Sequence, residues 1–189
     1  MFLITSIDTA IRSNLLIPNA IISVSELIVN MIAISPTANE MFWQILSLLH
    51  EIILAASEDL TIDFDLISSS FTPSSHSILI QNVCMAYKNL IIKNPDVLTN
   101  SDFSSNLINI AYSLIDCRSD IREAGPIFSF IGTLLILLSR IGISDLPDLY
   151  DKFIPIVTEC LLIQDASSYA AVLFGSMILS NSDYLFGFI

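Results

Sequence analysis

The chain has 189 residues, enough for one domain or for a segment of a larger one. Its hydrophobic share is 53% and its charged share 14%, against roughly 45–50% and about 25% in ordinary soluble domains, so most of it is expected to be buried. Seven basic residues against nineteen acidic ones leave a net charge of −12, which argues against a phosphate-binding groove of clustered Lys and Arg and permits a basic protein partner.

In chain order, apolar residues recur at three- and four-residue spacing, the mark of amphipathic helices. The two-residue alternation of strands is missing, and the expected class is all-α. A first helix is predicted over Leu3 to Leu16, stopped by Pro18, and a second over Ala20 to Ile34, ending before Pro36. Thr37 or Asn39 is placed to cap a third, running through Met41, Phe42 and Trp43 to about Ala56. The mixed segment 61–75 reads as a loose linker with short turns. Further helices are predicted over His76 to Lys93, Asp102 to Asp116, Ile121 to Arg140, Pro147 to Ile163 and Ala166 to Leu179. The connections between them hold Asn94-Pro95-Asp96, Gly142-Ile143-Ser144-Asp145 and Gln164-Asp165, which carry stop and start chemistry. Pro155 lies inside its helix and is expected to bend it.

The helices come in pairs. His76 to Ile121 and Ile121 to Ala166 are both steps of 45 residues. A period of roughly 40–47 residues with two helices is that of HEAT and armadillo arrays. The expected architecture is therefore a HEAT-like superhelix of about four helix pairs, with residues 1–189 as one segment. Pairs that bury their apolar faces on their neighbours account for the composition without a membrane.

Between Phe103 and Cys117, one side of the helix is apolar. Asn106, Asn109, Ser113 and Asp116 run along another side at helical spacing. Second helices of such pairs usually line the binding side, so this stripe is the candidate partner face, and Asp148 and Lys152 extend it on the next second helix. Asp148 also complements the dipole at that helix start. Around Ser119 to Ile131 the charges read as structural. Asp120 is expected to cap a helix with Glu123 answering three residues later, Arg122 to pair with a neighbour such as Asp116, and Pro126 to kink or restart the first turn.

Three segments carry a family likeness. Residues 93–135 resemble the late repeats of importin-β-type nuclear transport receptors, most closely the transportin-SR branch with its importin-thirteen relative. In that branch an Asp-x-Arg-acidic-Ala group opens a helix, and Asp120, Arg122, Glu123 and Ala124 stand in that place here. Residues 153–189 are similar to the same receptors' C-terminal end, and residues 15–52 follow their pattern of helix, linker proline and long helix. The resemblance implies the C-terminal part of a larger receptor that wraps protein cargo in cytoplasm and nucleus. It also implies that the Ran GTPase is engaged through N-terminal repeats outside this chain. The Arg-rich cargo helix of that branch would fall on residues 1–14, where Arg12 is the single basic residue, so that cargo mode is not carried over.

Catalysis finds little to draw on, and no enzyme, cofactor or metal site is expected. There is no GxSxG elbow, phosphate loop or EF-hand spacing. His50 reads as a packed histidine, and Cys84, Cys117 and Cys160 as buried small hydrophobes. Asp63 and Asp65 read as linker carboxylates. Trp43 reads as core between stacked pairs, and the apolar end at 184–189 as a cap, a continuation or a docking segment. Two alternatives remain open, a HEAT-like scaffold without a transport role and a small multi-helix membrane protein. Against the latter, the longest strongly apolar uncharged run, 124–139, is 16 residues, short of the roughly 20 a span needs.

Overall fold

A computed structural model describes residues 18–34, 40–57, 73–116, 123–143 and 146–180, with Ser6 and Thr9 as isolated helical positions. The described residues form seven α-helices and no strand: α1 (Pro18–Ile34), α2 (Glu40–Ser57), α3 (Pro73–Lys93), α4 (Ser101–Asp116), α5 (Ala124–Arg140), α6 (Leu146–Leu161) and α7 (Ser167–Ser180). The all-α expectation holds.

Local chemistry sets the ends. Pro18 opens α1 rather than only closing what precedes it, since a missing N–H costs nothing in a first turn. Lys93 Nζ donates to Ile32 O at 2.5 Å and to Ala33 O at 2.9 Å, satisfying carbonyls that the last turn of α1 leaves unpaired. α3 stops at Lys93, and Pro95–Thr99 follows as a 3-10 turn. Asn100 then caps α4, its Oδ1 accepting from the backbone N–H of Asp102 at 3.0 Å and of Phe103 at 3.1 Å. Pro126 sits in the first turn of α5, where its missing donor is harmless, and so continues the helix instead of breaking it. α5 closes in a Schellman turn: Gly142 takes φ 76°, its N–H reaches Ser139 O, and the N–H of Ile143 reaches Leu138 O. Pro155 lies within α6, which runs through it from Leu146 to Leu161.

The helices stack in two rows. α1, α3, α5 and α7 form the odd row, each packed mainly on the next. Contacts within it ascend together along both partners: Ser25 with Asn82 and Ile32 with Lys93, then His76 with Glu123 and Tyr87 with Phe130, then Gly132 with Ser176 and Ser139 with Ser180. The odd helices are therefore parallel. α2, α4 and α6 form the even row; Trp43 meets Phe103 and His50 meets Ser113, so α2 and α4 are parallel as well. Between rows the sense reverses: Trp43 reaches Tyr87, whereas Ile53, later in α2, reaches His76, earlier in α3.

The expected even repeat does not appear. The starts of α3, α5 and α7 lie 51 and 43 residues apart, at Pro73, Ala124 and Ser167. Three shifts cause this. Pro73 starts α3 three residues before His76, α5 begins at Ala124, three residues after Ile121 and directly after Glu123, and α7 begins at Ser167, one residue after Ala166. α6 also ends at Leu161, so the connection expected at Gln164-Asp165 is a longer turn, Leu162–Ala166.

The core is continuous between the rows and is richest around α5. Phe128, Phe130, Ile131, Leu134, Leu135 and Leu138 are all buried there. Gly125, Gly132 and Ser139 fall seven apart on α5 and face α7. A Cβ on Gly125 would meet the Tyr169 ring at 2.6 Å, and one on Gly132 would meet Ser176 Oγ at 2.6 Å. Absence of side chains at these two places is what lets α7 lie so close. Among the described residues, no helix is long and apolar enough to cross a membrane.

Candidate interaction face

The even row carries the stripe that the sequence singled out. On α4, Asn106, Asn109 and Asp116 are exposed and share one side of the helix. Ser113 is different. It is half-buried, and its Oγ lies 2.7 Å from His50 Nε2 of α2 and 2.9 Å from Ile110 O, so it ties two helices instead of facing outward. Burial pushes the His50 imidazole down to about 4, which keeps the ring neutral at physiological pH and makes it a packing group and not a base.

Asp148 and Lys152 do join the α4 stripe, and Tyr112 is the reason. Its ring stacks on Phe153 of α6 with centroids 5.1 Å apart, and Lys152 Nζ sits 4.4 Å from the ring centroid. That is cation–π distance. Burial, and then the charge of Asp148, push the Tyr112 phenol up to about 12. Its hydroxyl is closed off from solvent and finds no hydrogen-bond partner among the described residues. Tyr112 thus brings Asp148 and Lys152 of α6 to the flank of α4, a role that its type and neighbours hid in the sequence. The available signal was its place three residues beyond Asn109, masked because a tyrosine amid isoleucines reads as core.

Other exposed groups on the same helices are acidic: Glu51 on α2, Asp102 on α4, and Asp151 and Glu159 on α6. With Asp116 and Asp148 they outnumber Lys152, the exposed cation among the described residues of this row. Such a field favours a basic partner and steers its approach.

The structural quartet is only partly visible. Asp120 and Arg122 lie outside the described residues, and with them the expected capping box and the pairing to Asp116. Glu123 is buried just before α5, its Oε1 3.4 Å from His76 Nδ1 of α3. His76 Nε2 in turn lies 3.4 Å from Ile53 O of α2. One imidazole therefore links three helices at a junction that sequence separation hides. Nearby Cys84 is buried, and burial followed by the Glu123 charge holds its thiol far above the range of a working nucleophile. Cys84 and Cys160 are both buried, whereas Cys117 lies outside the described residues.

Among the described residues no cluster of His, Cys, Asp and Glu has the makings of a metal site. Trp43 is half-buried, with ring contacts to Phe103 at 4.7 Å and to Tyr87 at 6.0 Å, and so belongs to the packing between the rows. No family model, curated protein or solved structure matches the chain.

Proposed function

We propose that this chain is a protein-binding segment of a HEAT-type solenoid, of the kind that forms the C-terminal repeats of importin-β-type nuclear transport receptors. The observation that carries the binding reading is the pair of parallel rows, with an acidic, amide-bearing face along α2, α4 and α6. Stacked helix pairs of this sort offer an extended surface instead of an enclosed pocket. The titratable groups within the described core support the same view, since His50 and His76 are spent on holding helices together.

The transport half of the proposal rests on the resemblance of residues 15–52, 93–135 and 153–189 to those receptors. On that reading the partner is a protein cargo with a basic segment, docked across Asn106, Asn109, Asp116, Asp148 and Lys152. Ran would be bound by other repeats, and the protein would move between cytoplasm and nucleus. A scaffold without a transport role is the reading that remains if the transport half fails.

A photo-crosslinking residue placed at Asn109, and separately at exposed Ile34 of α1 as a control, tests the face. The expected result is crosslinking of a basic import-signal peptide from Asn109 alone, lost in Asp148→Lys. Retention of the protein on beads bearing phenylalanine-glycine pore repeats is the matching test for transport. Crosslinking without retention leaves the scaffold reading standing. Equal crosslinking at both positions removes the face.

A further inference from the structure

The odd row holds a cavity of about 400 Å³ between the middle of α3, the first turns of α5 and the start of α7. That falls within the roughly 300–1,000 Å³ of small-molecule sites. Its walls are Met85 and Cys84 from α3, Pro126 from α5, and Tyr169 and Val172 from α7. Gly125 lies at the edge of the lining, where the Tyr169 ring takes the place a side chain would fill. Met85 is 42% exposed, Tyr169 44% and Val172 58%, so the apolar lining opens to solvent along one side.

One charge stands at this cavity among its described lining residues, and it is Lys88. Its Nζ donates to Ser129 Oγ of α5 at 2.7 Å, which holds the ammonium at the groove. The other described cations are differently employed. Lys93 bonds the last carbonyls of α1, Lys152 covers the Tyr112 ring, and Arg140 stands in the last turn of α5. Lys88 alone combines a fixed position, a neutral partner and an apolar cavity beside it. In a chain of net charge −12, a held cation over an apolar groove selects an anion with an apolar body. The Ser129 hydroxyl keeps its own proton to donate, and Gln81 adds an amide on the same lining.

We propose that this groove is a binding site for a small amphiphilic carboxylate of the medium-chain fatty acid class. Its head is held by Lys88 and Ser129, and its acyl chain lies against Met85, Tyr169 and Val172. The site is on the odd row and is independent of the partner face on the even row, so either can fail without the other.

Isothermal titration calorimetry of the whole protein with hexanoate, octanoate and decanoate, each below its micelle concentration, tests the proposal. Affinity should rise about fourfold with each added CH₂ group as apolar surface is buried. Lys88→Met should weaken decanoate roughly tenfold or more, as expected for loss of a charged hydrogen bond. Val172→Glu should abolish binding, and Lys152→Met should leave it unchanged. Circular dichroism confirms that each variant is folded. Equal affinities along the series overturn the proposal, as does unchanged binding in Lys88→Met. Two further outcomes also overturn it: decanoate methyl ester binding as tightly as the acid, which would mean a purely apolar surface, and inorganic phosphate competing as well as decanoate, which would mean an anion site without an apolar body.

Discussion

The two rows are packed differently. Odd-row helices meet over long buried faces, where Gly125 and Gly132 of α5 let α7 approach closely. Tyr87 on Phe130, Ser25 with Asn82 and Lys88 with Ser129 are set within that apolar packing. Even-row helices meet through rings and polar ties: Trp43 on Phe103, His50 on Ser113, and Tyr112 on Phe153. The odd row is accordingly apolar on several sides, whereas α4 and α6 keep one polar face. Long buried faces suit the layer that holds the fold together. Ring contacts spaced along an open face suit a layer that also meets other molecules.

The difference is tested most severely by paired truncations. Phe130→Ala removes a fully buried ring that stacks on Tyr87 and should cost about 3–5 kcal/mol in urea unfolding. Phe103→Ala removes a half-buried ring of the even row and should cost clearly less, about 2 kcal/mol. Equal losses would break the contrast between the rows. Gly132→Val comes next. Its Cβ would lie 2.6 Å from Ser176 Oγ and 3.0 Å from Ser176 Cβ, so α5 and α7 must separate, at about 2–3 kcal/mol. A neutral effect would show that the seam between α5 and α7 is loose.

A smaller effect depends on pH. His50 has a folded pKa near 4, below its usual 6.5, because it is buried. The neutral ring therefore contributes stability above about pH 6.5 that is lost progressively as the pH falls toward about 4. Across that window wild type should lose roughly 1–2 kcal/mol more than His50→Gln, as followed by thermal melts. Parallel pH profiles would mean that His50 is solvated after all. Smallest is Lys152→Met, which removes the cation over Tyr112 and should cost about 0.5–1 kcal/mol, with a red shift or quenching change in tyrosine fluorescence as the local reporter.

Much of the fold could be read from the chain. The helix expected over Asp102 to Asp116 matches α4 to within one residue at its start and to the residue at its end, since the Asn94-Pro95-Asp96 stop is local chemistry. The Asn100 cap was added by the structure. The error in the repeat step came mainly from α3 and α5. Pro73-Ser74-Ser75 reads as a linker in isolation, yet Pro is at home in the first turn of a helix, and α3 starts there. Of the candidate face, the exposed Asn106, Asn109 and Asp116 followed from helical periodicity alone. Ser113 did not, because whether a polar side chain on the flank of a stripe faces water or a neighbouring helix depends on the neighbour, here His50.

By itself, then, the amino-acid order determined the helices, their stops and the apolar surplus that demands stacking, since capping, proline geometry and periodicity are local properties. Tertiary structure alone decided which side chains meet. His76 joins Glu123 across 47 positions, Tyr112 collects Lys152 and Asp148, and Met85, Tyr169 and Val172 line a groove beside Lys88. Those meetings depend on the register of one helix against another. Register is fixed by the fit of whole faces, which no single segment of the chain contains.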